Sequence, residues 1–181
     1  MKTTLIFLFT AVTAFAQQGF DIKSLDRLGA NAKESTNITL EGDTLKLARS
    51  MLANNKDAAS LKGMVDKLHG IYVRSFEFEE TGKYNQADLE PLKTWLGNQG
   101  WTRIVDVKEK KEFTQIWLHT AEGKAGGLAV IAAEPKQVTV VYIDGALSMD
   151  DIGKLSGNFG IPDMTFKNDG KKLKPESKKE E

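Results

Sequence analysis

Leu128-Ala129-Val130-Ile131-Ala132-Ala133-Glu134-Pro135-Lys136-Gln137-Val138-Thr139-Val140-Val141-Tyr142-Ile143 is the stretch on which the fold turns. It holds two apolar runs, Gly127 to Ala133 and Val138 to Ile143, joined by a short polar turn that contains Pro135. A joint of that length makes an antiparallel pair, because a parallel crossover needs about a dozen residues or more. In each run both alternating sets are apolar: Leu128, Val130 and Ala132 against Ala129, Ile131 and Ala133, then Val138 and Val140 against Val141 and Ile143. A strand apolar on both sides has both sides covered. Either helices lie on both faces of the sheet, or one face meets a partner.

Working upstream, Phe113 to Thr120 and Trp101 to Lys108 read as two further strands, joined by the polar turns Glu109 to Glu112 and Ala121 to Gly126. Ile71 to Glu79 is another, and Thr36 to Leu40 a short, weak one. Helical spacing marks four segments. Leu25, Leu28 and Ala32 share a stripe over 21–34, and Leu45, Ala48, Met51 and Leu52 share one over 43–54. Leu61, Met64, Val65 and Leu68 define a third helix, from Asp57 to a left-handed stop at Gly70. Leu89, Leu92, Trp95 and Leu96 define a fourth, with Pro91 in its first turn and Asp88 as N-cap. A fifth opens at Ser148, with Asp151 as its capping-box partner and Ile152 and Leu155 turned inward. The fold class is therefore α+β: one mostly antiparallel sheet of about five strands with helices packed on it.

The ends differ from this middle. Lys2 is followed by an apolar run, Leu5 to Phe15, and Ala14-Phe15-Ala16 places small residues where signal peptidase reads. Residues 1–16 are expected to be a cleaved signal peptide. The run is shorter than the ~20 residues of a membrane span, and no later stretch is apolar enough to be one. The domain is expected over 17–163. The lysine- and acid-rich segment 164–181 cannot bury enough surface to order itself and reads as a disordered tail. The chain of 181 residues carries 25 basic and 25 acidic residues, a balance that gives no reason to expect nucleic acid as a partner. It has no cysteine, which excludes disulfides, thiol catalysis, thiolate metal sites and an N-terminal lipidated cysteine. The expected location is the periplasm or the medium, after cleavage near Ala16.

Several stretches together carry a resemblance. They are Gly70-Ile71-Tyr72-Val73-Arg74-Ser75-Phe76-Glu77-Phe78, Trp101 with Ile104-Val105, Leu128 to Lys136 running into Thr139-Val140-Val141, and Phe159-Gly160-Ile161-Pro162. Over about 20 to 163 the chain resembles the exported bacterial family known as domain of unknown function 4252. The resemblance implies a signal-bearing envelope protein of one domain. It also implies a link to envelope signalling, through neighbouring genes for extracytoplasmic-function sigma factors. It supplies no catalytic residues. Some relatives carry a lipoprotein cysteine, and this chain does not.

Candidate chemistry is sparse. His69 reads as a cation at the end of the third helix, favoured there by about 0.3–1 kcal/mol without any catalytic role. Gln115, Trp117 and His119 alternate with Ile116 and Leu118, so they share one face, either a half-exposed sheet surface or a stacking and hydrogen-bonding surface for a ligand. Arg74 shares a face with Tyr72, Phe76 and Phe78, and reads as a cation–π or ion-paired arginine or as an anion binder. Arg74, Trp117 and His119 are the candidate binding residues. The loop from Gly123 to Gly127 lacks the Lys-Ser/Thr of a phosphate loop and reads as a hairpin turn. Ser75 has no elbow motif or base beside it. Asn37-Ile38-Thr39 is formally a glycosylation sequon, with little meaning in a bacterial host. No metal-ligand spacing, catalytic motif or cofactor motif is present. The expected function is non-enzymatic binding of a partner protein or small ligand in the envelope, with a homo-oligomer through a sheet face as one form of it. The alternative is a hydrolase acting on an envelope substrate, joining Arg74, His119 and a carboxylate.

Overall fold

The computed structural model describes residues 25–53, 59–121, 124–148 and 151. The expected signal peptide, the expected charged tail and most of the expected fifth helix lie outside the described residues. The elements run α1 (Asp26–Gly29), β1 (Glu34–Glu41), α2 (Gly42–Ala53), α3 (Ala59–Val65) and β2 (Leu68–Glu77). A 3₁₀ turn (Gln86–Leu89), α4 (Glu90–Asn98), β3 (Thr102–Glu109), β4 (Glu112–Ala121), β5 (Lys124–Glu134) and β6 (Gln137–Leu147) follow.

The strands form one six-stranded sheet in the order β1-β2-β6-β5-β4-β3, and every neighbouring pair is antiparallel. The meander from β3 to β6 follows from the short polar joints. The sheet has six strands where about five were expected, and its helices are few and short. The added strand is β1, which reaches well beyond Thr36–Leu40. It is an edge strand exposed along nearly all its length, so its sequence carries no buried face to read. The helix expected over 21–34 is limited to α1 in its described part, because Glu34 already pairs with Glu77.

Both faces of the central strands are buried, as their double apolar pattern requires. On the first face Leu45 of α2 and Met64 and Val65 of α3 pack with Val73, Ile116, Leu128, Val130, Val141 and Ile143. On the second, Leu25 at the start of α1 and Leu28 within it, Leu89 of the 3₁₀ turn and Leu92 and Leu96 of α4 pack with Phe76, Phe113, Trp117, Ile131, Val138 and Val140. The chain crosses this second face from β2 to β3, at the far edge, through the 3₁₀ turn and α4. Asn85 caps that turn, with Asp88 as its reciprocal partner. Asp88 is thus the third residue of the capping box, and the expected N-cap lies three residues earlier.

Two helix readings shift. On α2 the inward stripe holds Leu45 and Leu52, while Met51 points away and is 68% exposed. The third helix stops at Val65, and Leu68 opens β2 opposite Gly145. Gly70 is a strand residue, and its missing Cβ makes room for the ring of Tyr72, whose Cε2 would otherwise lie 2.7 Å away. Arg49 of α2 serves the last carbonyl of α3 and the first of β2, donating Nε to Val65 O at 3.2 Å and Nη2 to Leu68 O. A cation does serve the C-terminus of α3, and it is Arg49, not His69.

The opening of the fifth helix is as read. Ser148 N donates to Asp151 Oδ2 at 2.9 Å, and Asp151 N donates to Ser148 Oγ at 3.1 Å. Burial alone would raise the Asp151 carboxyl, but the Ser148 hydrogen bonds and Lys67 outweigh it and hold the carboxyl below its ordinary range. Among the described residues no helix is long and apolar enough to cross a membrane.

Candidate functional site at the β3–β4 edge

Strand alternation puts Arg103, Asp106, Gln115 and Trp117 in cross-strand register, with Asp106 opposite Gln115 and Arg103 opposite Trp117. The Arg103 guanidinium lies 5.7 Å from the Trp117 ring centroid and 3.1 Å from Asp106 Oδ2. Gln115 donates Nε2 to Asp106 Oδ1 at 3.2 Å. Asp106 therefore joins the cation to the amide. Arg103 and Asp106 reach solvent, while Gln115 and Trp117 are buried. The surface expected around Trp117 is thus sealed, because α4 and its flanking turns pack on that face too.

Two side-chain atoms in this cluster are buried without a hydrogen-bond partner: Gln115 Oε1, an acceptor, and Trp117 Nε1, a donor. They come from residues two apart on one strand, so they face the same side of the sheet. Each unsatisfied buried polar group costs about 1–3 kcal/mol. A core otherwise built of Leu, Ile, Val and Phe gains nothing from them.

An aromatic group adjoins the cluster. Trp101 lies 5.3 Å from His119 and 5.1 Å from Tyr142, centroid to centroid, and Tyr72 and Trp95 pack around Tyr142 at 5.7 and 6.2 Å. Gly127 makes this packing possible, since a Cβ there would meet Trp101 Cη2 at 2.7 Å and Ile143 O at 3.0 Å. Tyr72 donates its hydroxyl to Glu41 Oε2. Burial, and then the Asp144 carboxylate, push the Tyr142 phenol up to about 12. Burial, and then the hydrogen bond to Glu41, push Tyr72 up as well, and burial followed by Glu134 raises Tyr84.

These are all three tyrosines of the chain. The native protein is therefore expected to show less phenolate absorbance than the denatured chain as pH passes the ordinary tyrosine value of 10.0, because all three phenols are raised. In denaturant all three should ionise near 10. A neutral form favoured by the fold contributes stability that is complete below pH 10 and lost as pH rises towards the folded values. Native and denatured titrations that coincide would remove this reading.

The candidate residues do not assemble. Register aligns Arg74 with Val140, Ile131 and Gln115, so Arg74 stands three strands from β4. That is about 14 Å across the sheet, and His119 is roughly 13 Å further along it. Arg74 lies toward the opposite edge, donating Nη1 to Ile38 O at 3.0 Å and Nη2 to Thr39 Oγ1 at 3.4 Å. Trp117 and His119 do share a face. His69 is exposed, with Nδ1 3.7 Å from Asp144 Oδ1. Among the described residues no three potential metal ligands converge. Sequence reasoning missed Arg103 and Asp106, since a bulge between Arg103 and Val105 shifts their phase on β3. Their signal was present only as charges beside an aromatic strand.

Fold and site define an α+β domain on one antiparallel sheet, with a polar cluster at one edge and partnerless polar atoms beneath it. The chain belongs to the family described as domain of unknown function 4252, whose pattern matches residues 29–155. No curated protein and no solved structure matches it.

Proposed function

We propose that the protein is a non-catalytic binding domain of the bacterial envelope, exported by its N-terminal signal, and that it takes a peptide-like ligand at the β3–β4 edge. The observation that carries this reading is the partnerless pair, Gln115 Oε1 and Trp117 Nε1. An amide offers a carbonyl to the indole N–H and an N–H to the Gln115 oxygen, so one amide group satisfies both. Arg103 and Asp106, in contact with solvent above, supply one charge of each sign for the ends or side chains of such a ligand. Burial of the inner atoms means that the edge must open to admit it.

Trp117→Phe tests the reading, because it removes the donor and keeps an aromatic ring. The probes are soluble peptidoglycan peptides and short acetylated peptide amides, followed by the indole N–H resonances of the three tryptophans. Wild type is expected to bind a member of this set with a shift at Trp117. Trp117→Phe is expected to stay folded, since removing the buried unsatisfied donor offsets part of the lost ring volume, and to lose binding. Equal binding by the variant, or no binding by wild type, overturns the proposal.

A further inference from the structure

The two edges of the sheet are built differently. β3 carries devices that discourage edge-to-edge pairing: a bulge between Arg103 and Val105, Lys108 within the strand, and the Arg103–Asp106 ion pair. β1, with the sequence ESTNITLE, has no lysine, no proline and no irregularity in its register with β2, and its charges stand only at its two ends. Arg74 fastens the middle of β1 to β2 through Ile38 O and Thr39 Oγ1. The large hydrophobic residues exposed among the described residues fall in this same unit: Ile38 on β1 at 37%, and Leu47 and Met51 on α2 at 64% and 68%. α2 packs over β1 and β2 on the first face.

From these observations we infer that β1 pairs with β1 of a second copy of this chain, making one continuous sheet through two protomers. A two-fold axis perpendicular to the sheet keeps each face continuous, so antiparallel partners must share a face and their residue numbers must sum to an even value. Centring on Ile38 sets Ile38 against Ile38 of the partner subunit. Asn37 then meets Thr39, Thr36 meets Leu40, and Ser35 meets Glu41 across the axis. No like charges face each other, and the strand stays paired from Ser35 to Glu41. Centring on Thr39 shortens the ladder, since Gly42 already begins α2. Centring on Asn37 sets Ile38 against threonine. Ile38 O faces β2, where Arg74 Nη1 bridges it to Val73 O, so the outward backbone groups that build the ladder are those of Asn37 and Thr39 on either side of the axis. The axis also sets both α2 helices on the same face of the joined sheet.

The absence of cysteine allows a clean test. Ile38→Cys in the processed chain is expected to form a disulfide-linked dimer under mild oxidation, whereas Asp106→Cys on the other edge is not. Sedimentation of wild type should show a dimer. Ile38→Lys, checked for an unchanged circular dichroism spectrum, should weaken the dimer by at least about tenfold in dissociation constant, because a lysine on the edge opposes pairing. A wild type that stays monomeric, a dimer that persists undiminished in Ile38→Lys, or cross-linking that favours the β3 edge would each overturn the inference. The first two outcomes leave the ligand site at the far edge untouched, and only cross-linking through the β3 edge would bear on both readings.

Discussion

Phe76→Ala is expected to lower the stability of the fold by about 3–5 kcal/mol, the range for deleting a fully buried aromatic side chain. Phe76 is 3% exposed and sits on β2 between Ser35 of β1 and Val138 of β6. Its ring lies against the chain at Gly29, with Cε1 3.4 Å from where a Cβ would stand, so it joins α1 to the sheet. α1 is a single turn that cannot hold itself and depends on this contact. The loss therefore combines removed apolar area with a cavity that a strand in the second position cannot close. In a chain of this size the melting temperature should drop by roughly 10 °C or more. Phe76→Leu should recover most of the loss. A Phe76→Ala protein that melts with wild type would mean that the ring does not face the core.

That prediction could be made from sequence because β2 alternates: Tyr72, Arg74 and Phe76 on one face, Ile71 and Val73 on the other. β5 and β6 were legible for a different reason, since apolar residues on both faces state that both are covered. β1 was nearly invisible, because an edge strand with two exposed faces has no pattern to impose. The end of α3 was misread because Leu68 satisfies both periods at once, continuing the helical stripe of Leu61, Met64 and Val65 while opening the strand. Pairing with Gly145 decides the matter, and that contact is remote in sequence. Arg49 had no local signal either, since the carbonyls it serves belong to α3 and β2, 16 and 19 residues further along the chain. At the candidate site, alternation placed Gln115, Trp117 and His119 on one face correctly. It could not say that α4 would cover that face, nor that a bulge would bring Arg103 and Asp106 above it. Arg74 read as a cation–π or ion-paired arginine or as an anion binder, and its place as a clamp on the edge strand had no signal in the sequence.

Gly145→Ala is expected to be at least as damaging as Phe76→Ala, although it adds one methyl group and removes none. Gly145 has φ +141°, a conformation that residues with a Cβ adopt at a cost of about 1–3 kcal/mol. The added Cβ would also stand 2.5 Å from Leu68 Cα and 2.6 Å from Lys67 O. Both are backbone atoms, so neither can swing aside as a side chain would. Lys67 O accepts a hydrogen bond from Ala146 N at 3.3 Å, which ties β6 to the end of α3. Relieving the clash means moving that carbonyl, and with it Lys67, whose Nζ pairs with Asp151 at 3.3 Å where the last helix opens. One methyl group thus strains the meeting point of α3, β2, β6 and the last capping box. Gly63→Ala supplies the control. Gly63 lies inside α3 with no atom within 4 Å of its added Cβ. There the same substitution should stabilise the protein by up to about 1 kcal/mol through helix propensity. Denaturant titration of the two variants should give shifts of opposite sign. A Gly145→Ala protein as stable as wild type would show that β6 does not approach Lys67 as closely as this packing requires.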